Sequence, residues 1–332
     1  MKIVELSEEK FNSLVLLEPD ASYKQTSYWG NYSSDFDYKP LYIGYADDVN
    51  GYVALAMILL KAGKGLFAKK TAFCPAGYLI NYYDAKLFED FTNDLKKYLS
   101  KKGVSEISIT PNVKYITARG DNDYLIKSMK ELGYEKIDDN FYFTTNINRI
   151  KKAKVSDGVR LKTYVVEKKL RKVFQDNDRY RSLYENMLSN AKFIVCELDA
   201  ENTICGLNEE INDAKVFIDA HSEDLENIRK VESKKRLIGE KKELSNLVEK
   251  CIRENGDNPV LAVTCLIQYN GNITQLFVDS KDGYESFGAV EALNEKTLRY
   301  IKDLGYKSYD SYAPSSCAEK VDLIGQFTFR DK

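Results

Sequence analysis

The sequence predicts an α+β protein built from two similar domains in tandem. Its length of 332 residues exceeds the roughly 100–200 residues of one average domain. A hairpin, a helix, a glycine and a strand follow one another in this order twice along the chain. Hydrophobic residues make up 43% and charged residues 30% of the chain, which supports packed cores and excludes wholesale disorder.

The first copy of this unit begins with a hairpin over residues 41–60. Asn50-Gly51 separates its two apolar runs, and this dipeptide is a strong signal for a tight hairpin turn. Residues 85–102 carry apolar side chains at helical spacing, and Gly103 is suited to a left-handed helix cap. The alternating run that follows predicts a strand, which Pro111 ends.

The second copy repeats these features in the same order. Asn270-Gly271 divides a second hairpin, residues 289–304 predict a helix, Gly305 caps it, and Pro314 ends the next strand. We therefore expect the segments 85–110 and 289–313 to occupy equivalent places in two copies of one α+β domain. Residues 124–143 form a shorter echo of the same unit.

These units divide the chain into a first domain at 1–147 and a second at 148–332. Residues 222–254 contain no proline and are highly charged, and we expect a protruding helical hairpin that bends near Gly239. The alternative is one amphipathic helix lying on the body of the second domain.

A basic stretch at 149–172 holds ten Lys or Arg residues against Asp157 and Glu167. It could bind the phosphates of a nucleotide, a tRNA backbone or a lipid pyrophosphate, or it could be a solvated helix face. The candidate phosphate ligands in this stretch are Lys151, Lys152, Lys154 and Arg160.

The overall composition excludes several classes of protein. Lys and Arg number 49 against 51 Asp and Glu, so the formal charge of −2 excludes a globally basic nucleic-acid binder. Six cysteines without a CxxC pair and a single histidine, His221, argue against a zinc site and predict reduced thiols in a cytoplasmic protein. The longest apolar run, Val53–Leu60, is too short to span a membrane, so any membrane contact would be peripheral.

The sequence contains no Walker loop, GxGxxG, GxSxG or HExxH motif, so no motif of these kinds indicates a nucleophile, a nucleotide site or a metal site. A dense aromatic cluster suits either a ligand cleft or the end of a core helix. Its members are Tyr23, Tyr28, Trp29, Tyr32, Phe36 and Tyr38.

Taken in order, several motifs resemble the Fem family of peptidoglycan-bridge aminoacyltransferases. The resemblance covers nearly the whole chain and rests on the ordered set rather than on any one motif. The matching segments are QTSYWGNY at 25–32, the first hairpin, FCPAGYLINYYD at 73–84, ISITPNV at 107–113, RIKKAKVSDGVRL at 149–161, GYKSYDSYA at 305–313 and GQFTFR at 325–330.

This resemblance implies two tandem GNAT (acyl-CoA N-acyltransferase-like) domains with a helical arm. It also implies catalytic positions at Thr110, where the family has Asp, and at Arg330, where the family has Lys. Thr110 cannot act as a base, so the implied aminolysis would depend on positioning and on the substrate. The substrate-binding residues implied by the resemblance are Tyr28, Trp29, Lys151, Lys152, Tyr180, Arg181, Asp310, Phe327 and Lys332.

The implied reaction moves an amino acid from aminoacyl-tRNA to an amine of a peptidoglycan precursor, either lipid II or UDP-MurNAc-pentapeptide, without a cofactor. Two alternatives remain open: a GNAT-type enzyme with another acyl donor such as an acyl-CoA, and a non-catalytic paralogue that recruits partners. We expect a cytoplasmic monomer or homodimer.

Overall fold

The computed structural model describes residues 1–49, 51–63, 65, 69–115, 122–147, 150, 152–166, 177–223, 225–314 and 318–331. The α-helices in these ranges are α1 (Glu8–Val15), α2 (Ser27–Ser34), α3 (Ala85–Lys101), α4 (Asp123–Glu131), α5 (Asp178–Asn186), α6 (Ala200–His221), α7 (Ile228–Asn255) and α8 (Ala289–Asp303). Among the described residues, no helix combines the length and the apolar character needed to cross a bilayer.

The strands form two sheets. The strands of the first sheet are β1 (Lys2–Glu5), β2 (Tyr38–Asp47), β3 (Gly51–Lys61), β4 (Lys70–Pro75), β5 (Leu79–Ile80), β6 (Val104–Thr110), β7 (Glu135–Asp138) and β15 (Gln326–Arg330). The strands of the second sheet are β8 (Phe141–Asn146), β9 (Leu161–Val165), β10 (Ala191–Leu198), β11 (Val260–Tyr269), β12 (Asn272–Ser280), β13 (Ser308–Ser311) and β14 (Ala318–Asp322).

The two sheets have the same strand arrangement. The first runs β1-β2-β3-β4-β6-β15-β7, and the second runs β9-β10-β11-β12-β13-β8-β14. In each sheet one neighbouring pair is parallel, β4 with β6 and β12 with β13, and a helix connects its two strands. Since α3 and β6 match α8 and β13, the predicted equivalence of 85–110 and 289–313 is confirmed.

Each sheet nevertheless contains a strand from the far side of the predicted boundary. Strand β8 lies between β13 and β14 of the second sheet, although it precedes residue 147. Strand β15, near the end of the chain, lies between β6 and β7 of the first sheet. We still propose a domain boundary at 147 along the chain, but each domain contributes one strand to the sheet of the other.

Hydrophobic cores lie on both faces of the sheets. In the first sheet, α3 and α4 cover one face through Phe88, Phe91 and Met129, and α1 covers the other through Phe11. In the second sheet, α8 packs on one face, and α5 and α2 contribute to an aromatic cluster on the other. The helices thus close both sheets and leave the junction between them as the place for a site.

The helical arm differs from its prediction. Residues 228–255 form one continuous helix, α7, that passes through Gly239 without a break, and its antiparallel partner is α6. A single glycine costs a helix only about 1 kcal/mol, which the neighbouring good helix formers tolerate. The overlooked helix α6 buries Leu207, Ile211 and Ala214, a helical spacing visible in the sequence.

The C-terminal half of α7 belongs to the body of the second domain. Val248 and Cys251 are fully buried in the core beneath α8. The Lys241 side chain is only 5% exposed, and its ammonium contacts Asp157 at 2.6 Å and Glu210 at 2.7 Å. Only the distal part of the helix pair therefore projects from the body.

Candidate active site

A cleft of 970 Å³ opens at the junction of the two sheets. The first half of the chain contributes residues 18–23, 76–83 and 112–114 to its walls. The second half contributes the end of β11, the start of β12 and strand β13, together with the exchanged strand β8. Because both halves build these walls, the cleft exists only where the two domains meet.

Asp310 is the recessed carboxylate of this cleft. It lies on β13, and Thr144, its register partner on β8, donates a hydrogen bond of 2.7 Å to its Oδ1. Its other oxygen accepts no hydrogen bond from a described residue, and it makes no ion pair with one. Burial raises the pKa of Asp310 above its ordinary value, although Thr144 and, more weakly, the charge of Lys114 oppose this shift.

Tyrosines dominate the rest of the lining. The hydroxyls of Tyr23 and Tyr312 lie 3.3 Å apart and link the two halves of the chain across the cleft. The Lys24 ammonium lies 4.4 Å from the centroid of the Tyr312 ring, so this wall already accepts a cation. The lining tyrosines are Tyr23, Tyr78, Tyr82, Tyr83, Tyr124, Tyr142, Tyr269 and Tyr312.

Gln25 holds the first-sheet wall of the cleft in place. Its side chain is fully buried where β4 leaves β3, and it fills the gap in the ladder. The amide nitrogen donates to the carbonyls of Met57 at 3.1 Å and Pro75 at 2.6 Å, and the amide oxygen accepts from the Met57 N–H at 2.7 Å. The glutamine that opens the QTSYWGNY segment therefore has a structural role.

Thr110 also supports this wall rather than facing the cleft. Its hydroxyl accepts a hydrogen bond of 3.0 Å from the N–H of Ala76, which lines the cleft with a left-handed backbone at φ 49°. The predicted catalytic position therefore adjoins the cleft without being one of its lining residues, and its hydroxyl fixes the turn at Ala76.

Tyr28 and Trp29 lie on α2, behind the cleft wall. The Trp29 ring packs edge-on against Tyr23, with 5.3 Å between the ring centroids, and lies tilted against Tyr32 at 4.8 Å. Both Tyr28 and Trp29 belong to the aromatic cluster over the second sheet. The aromatic motif thus buttresses Tyr23, and it is Tyr23 that lines the cleft.

The remaining predicted residues lie elsewhere. Tyr180 is buried and donates to Asp279 at 2.5 Å, and Arg181 pairs with Asp178 on the same helix. Phe327 is fully buried in the first core. Lys151 and Lys332 lie outside the described residues.

Arg330 lies at the far end of β15 from the junction. It is the register partner of Glu106 and donates to that carboxylate at 2.9 Å in an exposed ion pair. Lys152 lines a different depression, between α6 and α8. Of the described residues predicted for catalysis or substrate binding, only Asp310 lines the cleft. Thr144 and Lys114 were missed because they fit no motif.

The helices that connect the parallel strands, α3 and α8, both have an obstructed N-terminus. The Asp84 carboxylate caps α3 by accepting from the Leu87 N–H at 2.9 Å, so it places a negative charge there. At α8, a Cβ on Gly288 would lie 2.2 Å from the Lys154 carbonyl oxygen, because the chain near 154 packs directly on this turn. Neither end offers free N–H groups in an open, positive setting.

No group of three or more His, Cys, Asp or Glu side chains within the described part of the chain could hold a metal ion. The ionisable groups that line the cleft are the desolvated carboxylate of Asp310, the exposed carboxylates of Glu18 and Asp20, the ammonium of Lys114 and several phenols. A desolvated carboxylate can accept a proton, and tyrosine faces and hydroxyls can orient an ammonium or an ester carbonyl.

Comparisons with known proteins agree with this architecture. The model of the FemAB family matches residues 6–148 and 122–313. A crystal structure of FemX aligns with 100% of this chain and 98% of its own at 14% identity, with a TM-score of 0.63. A tandem GNAT protein from the clavulanic acid biosynthesis pathway aligns over 99% of this chain and 98% of its own at 9% identity, with a TM-score of 0.59. The curated proteins contain no match.

Proposed function

Because the chain belongs to the FemAB family, we propose that it is an aminoacyltransferase whose active site is the cleft between the two sheets. The donor is an aminoacyl-tRNA ester, and the acceptor is a primary amine of a peptidoglycan precursor. The observation that carries this proposal is Asp310, a recessed carboxylate in a tyrosine-lined cleft whose second oxygen accepts no hydrogen bond from a described residue.

The chemistry needs a proton acceptor more than it needs a nucleophile. An ester is already activated, whereas an alkyl amine with a pKa near 10.4 is largely protonated at neutral pH. Asp310 would take one proton from the acceptor ammonium, and the neutral amine would then attack the ester carbonyl. The C–O bond to the ribose breaks as the amide forms, and the amine's second proton leaves with the ribose hydroxyl.

Lys114 supplies a positive charge near this carboxylate. It lines the cleft, is exposed, and lies near enough to Asp310 to lower the pKa of that carboxyl. A cation in this position would stabilise the developing oxyanion or orient a carboxylate of the stem peptide. It thereby supplies the charge expected earlier of Arg330, whose guanidinium is engaged by Glu106.

An acyl-CoA donor is the weaker alternative. A helix N-terminus with free N–H groups would suit a CoA pyrophosphate, and Asp84 and the chain at Lys154 obstruct that end of α3 and α8, the helices that connect the parallel strands. An RNA donor does not need that site, because its phosphates can bind cationic side chains.

The proposal is tested by supplying donors and acceptors separately. The protein is incubated with a pool of charged tRNA or with acetyl-CoA, in the presence of UDP-MurNAc-pentapeptide or lipid II, and products are read by mass spectrometry. We expect a mass increase of one amino-acid residue with the charged tRNA and no product with acetyl-CoA. Acetylated precursor, or no product from any donor, would contradict the proposal.

A further inference from the structure

A second depression, of 860 Å³, lies between α6 and α8 on the far side of the second sheet. We call it the α6–α8 groove. The strand registers relate this groove to Asp310 through β11. Thr163, at the edge of the groove, pairs with Cys196, which pairs with Ala262 on β11. Asp310 pairs with Thr274, which pairs with Ile267 on β11. Five residues along the strands and four strand spacings across them place the groove about 25 Å from Asp310.

Three cations in this groove make no ion pair within the described part of the chain. Lys152 and Arg160 come from the segment between β8 and β9, Lys296 comes from α8, and the three line the groove together. None of them makes an ion pair with any residue that the structure describes. A fourth cation, Arg299, is held by Glu295 at 2.8 Å.

The acidic residues of the groove are mostly neutralised. Asp199 accepts from Lys162 and Asn202, each at 2.8 Å. Glu295 accepts from the Ala153 N–H at 2.6 Å as well as from Arg299. Glu209 alone among these acids lacks an ion pair with a described residue, so the unpaired charges favour an anionic ligand.

We propose that the α6–α8 groove binds backbone phosphates of the RNA donor while its aminoacyl end reaches the cleft; this inference rests on the proposed function. A separation of about 25 Å corresponds to about seven phosphates at 3.4 Å each along one strand. A single small phosphate would need a closed cradle, whereas this groove is open and its cations are spread over α8 and the segment between β8 and β9.

The test compares charge-removal variants on two surfaces. The groove variant is Lys152→Ala/Arg160→Ala/Lys296→Ala. The matched control, Lys230→Ala/Lys235→Ala/Arg236→Ala, removes the same charge from exposed positions on α7. Binding of fluorescent charged tRNA is measured between about 50 and 200 mM salt. Transfer to the precursor and the melting temperature are measured on the same samples.

The groove variant should bind about tenfold or more weakly, and its log–log salt slope should fall by about 2–3, since each lost contact removes roughly 0.7–0.9. The control should bind as the wild type does. Glu209→Gln should strengthen binding, because it removes a repelling charge. Unchanged binding by the groove variant, or an equal loss in the control, overturns the inference while wild-type transfer upholds the proposed function. A wild-type protein that neither binds charged tRNA nor transfers from it overturns both.

Discussion

Thr144 donates a hydrogen bond to Asp310 across the interface between strands β8 and β13, although 166 residues separate them in sequence. This contact exists because β8, from the first half of the chain, has crossed into the second sheet. The corresponding strands of the first sheet, β6 and β15, instead bring together two hydroxyls, Ser108 and Thr328, at 2.8 Å. The carboxylate that the first sheet carries at this interface, Glu106, is held by Arg330 in an exposed ion pair and does not line the cleft. We therefore assign one active site to the two similar domains.

Removing the Thr144 hydroxyl should change the pH dependence of transfer. The hydrogen bond favours the ionised carboxylate, so Thr144→Val should raise the pKa of Asp310 further above its ordinary value. The ionised form of Asp310 then appears at higher pH, so the acidic limb of the rate profile should shift to higher pH. The profile of kcat/KM is measured for both proteins, with Thr144→Ser as the control that keeps the hydroxyl. An acidic limb that stays at the same pH in Thr144→Val would show that the ionisation of Asp310 does not control the rate.

Gln25→Ala should destabilise the protein. The substitution leaves the buried Met57 N–H and the carbonyls of Met57 and Pro75 without their side-chain partner. Unsatisfied buried groups cost about 1–3 kcal/mol each, and partial relaxation should leave a net loss of about 2–4 kcal/mol. Urea unfolding measures this loss. Asn31→Ala is the control, because among the described residues its side-chain amide bonds only the exposed Glu8; equal stability of the two variants would refute the bridging role.

The contacts of Lys241 predict an asymmetry between two substitutions. Asp157→Asn/Glu210→Gln leaves a buried ammonium without counter-ions and should cost about 3 kcal/mol. Lys241→Met removes the cation itself and leaves carboxylates that water can reach, so it should cost less, about 1 kcal/mol. Chemical denaturation of the three proteins decides the order. A larger loss in Lys241→Met would show that packing rather than charge holds α7 to the body.

The arm yields a prediction about its dispensable length. Replacing 216–229 with a short Gly/Ser loop should preserve cooperative folding, because Val216 and Ile228 are exposed at the distal end. Replacing 226–252, most of the segment that the sequence predicts to protrude, should abolish it, because Val248 and Cys251 are fully buried in the core. Thermal unfolding by circular dichroism compares the two. Cooperative unfolding of the longer deletion would show that the second core forms without α7.

The repeated units of the fold could be predicted because each is encoded locally. Asn270-Gly271 and Gly305 determine a turn and a helix end within a few residues. The strand exchange could not be predicted, because the sequences of the short strands β8 and β15 do not indicate which strands they pair with. The Fem resemblance proposed Asp310, which lines the cleft. It also proposed Arg330, which lies away from the cleft because the pairing of β15 with β6 places it beside Glu106.

The single-turnover rate of Asp310→Asn tests the central assignment most directly. Wild type and variant are mixed with charged tRNA and saturating precursor at one neutral pH, and amide formation is followed by rapid quench. Loss of a general base should slow the chemical step about 10²–10⁴-fold. The melting temperature should not fall. Burial raises the pKa of the Asp310 carboxyl, so its ionisation lowers the stability of the folded protein as pH rises through that pKa, and asparagine removes this charge. A variant rate within threefold of wild type would contradict the assignment of this cleft and its carboxylate to acyl transfer.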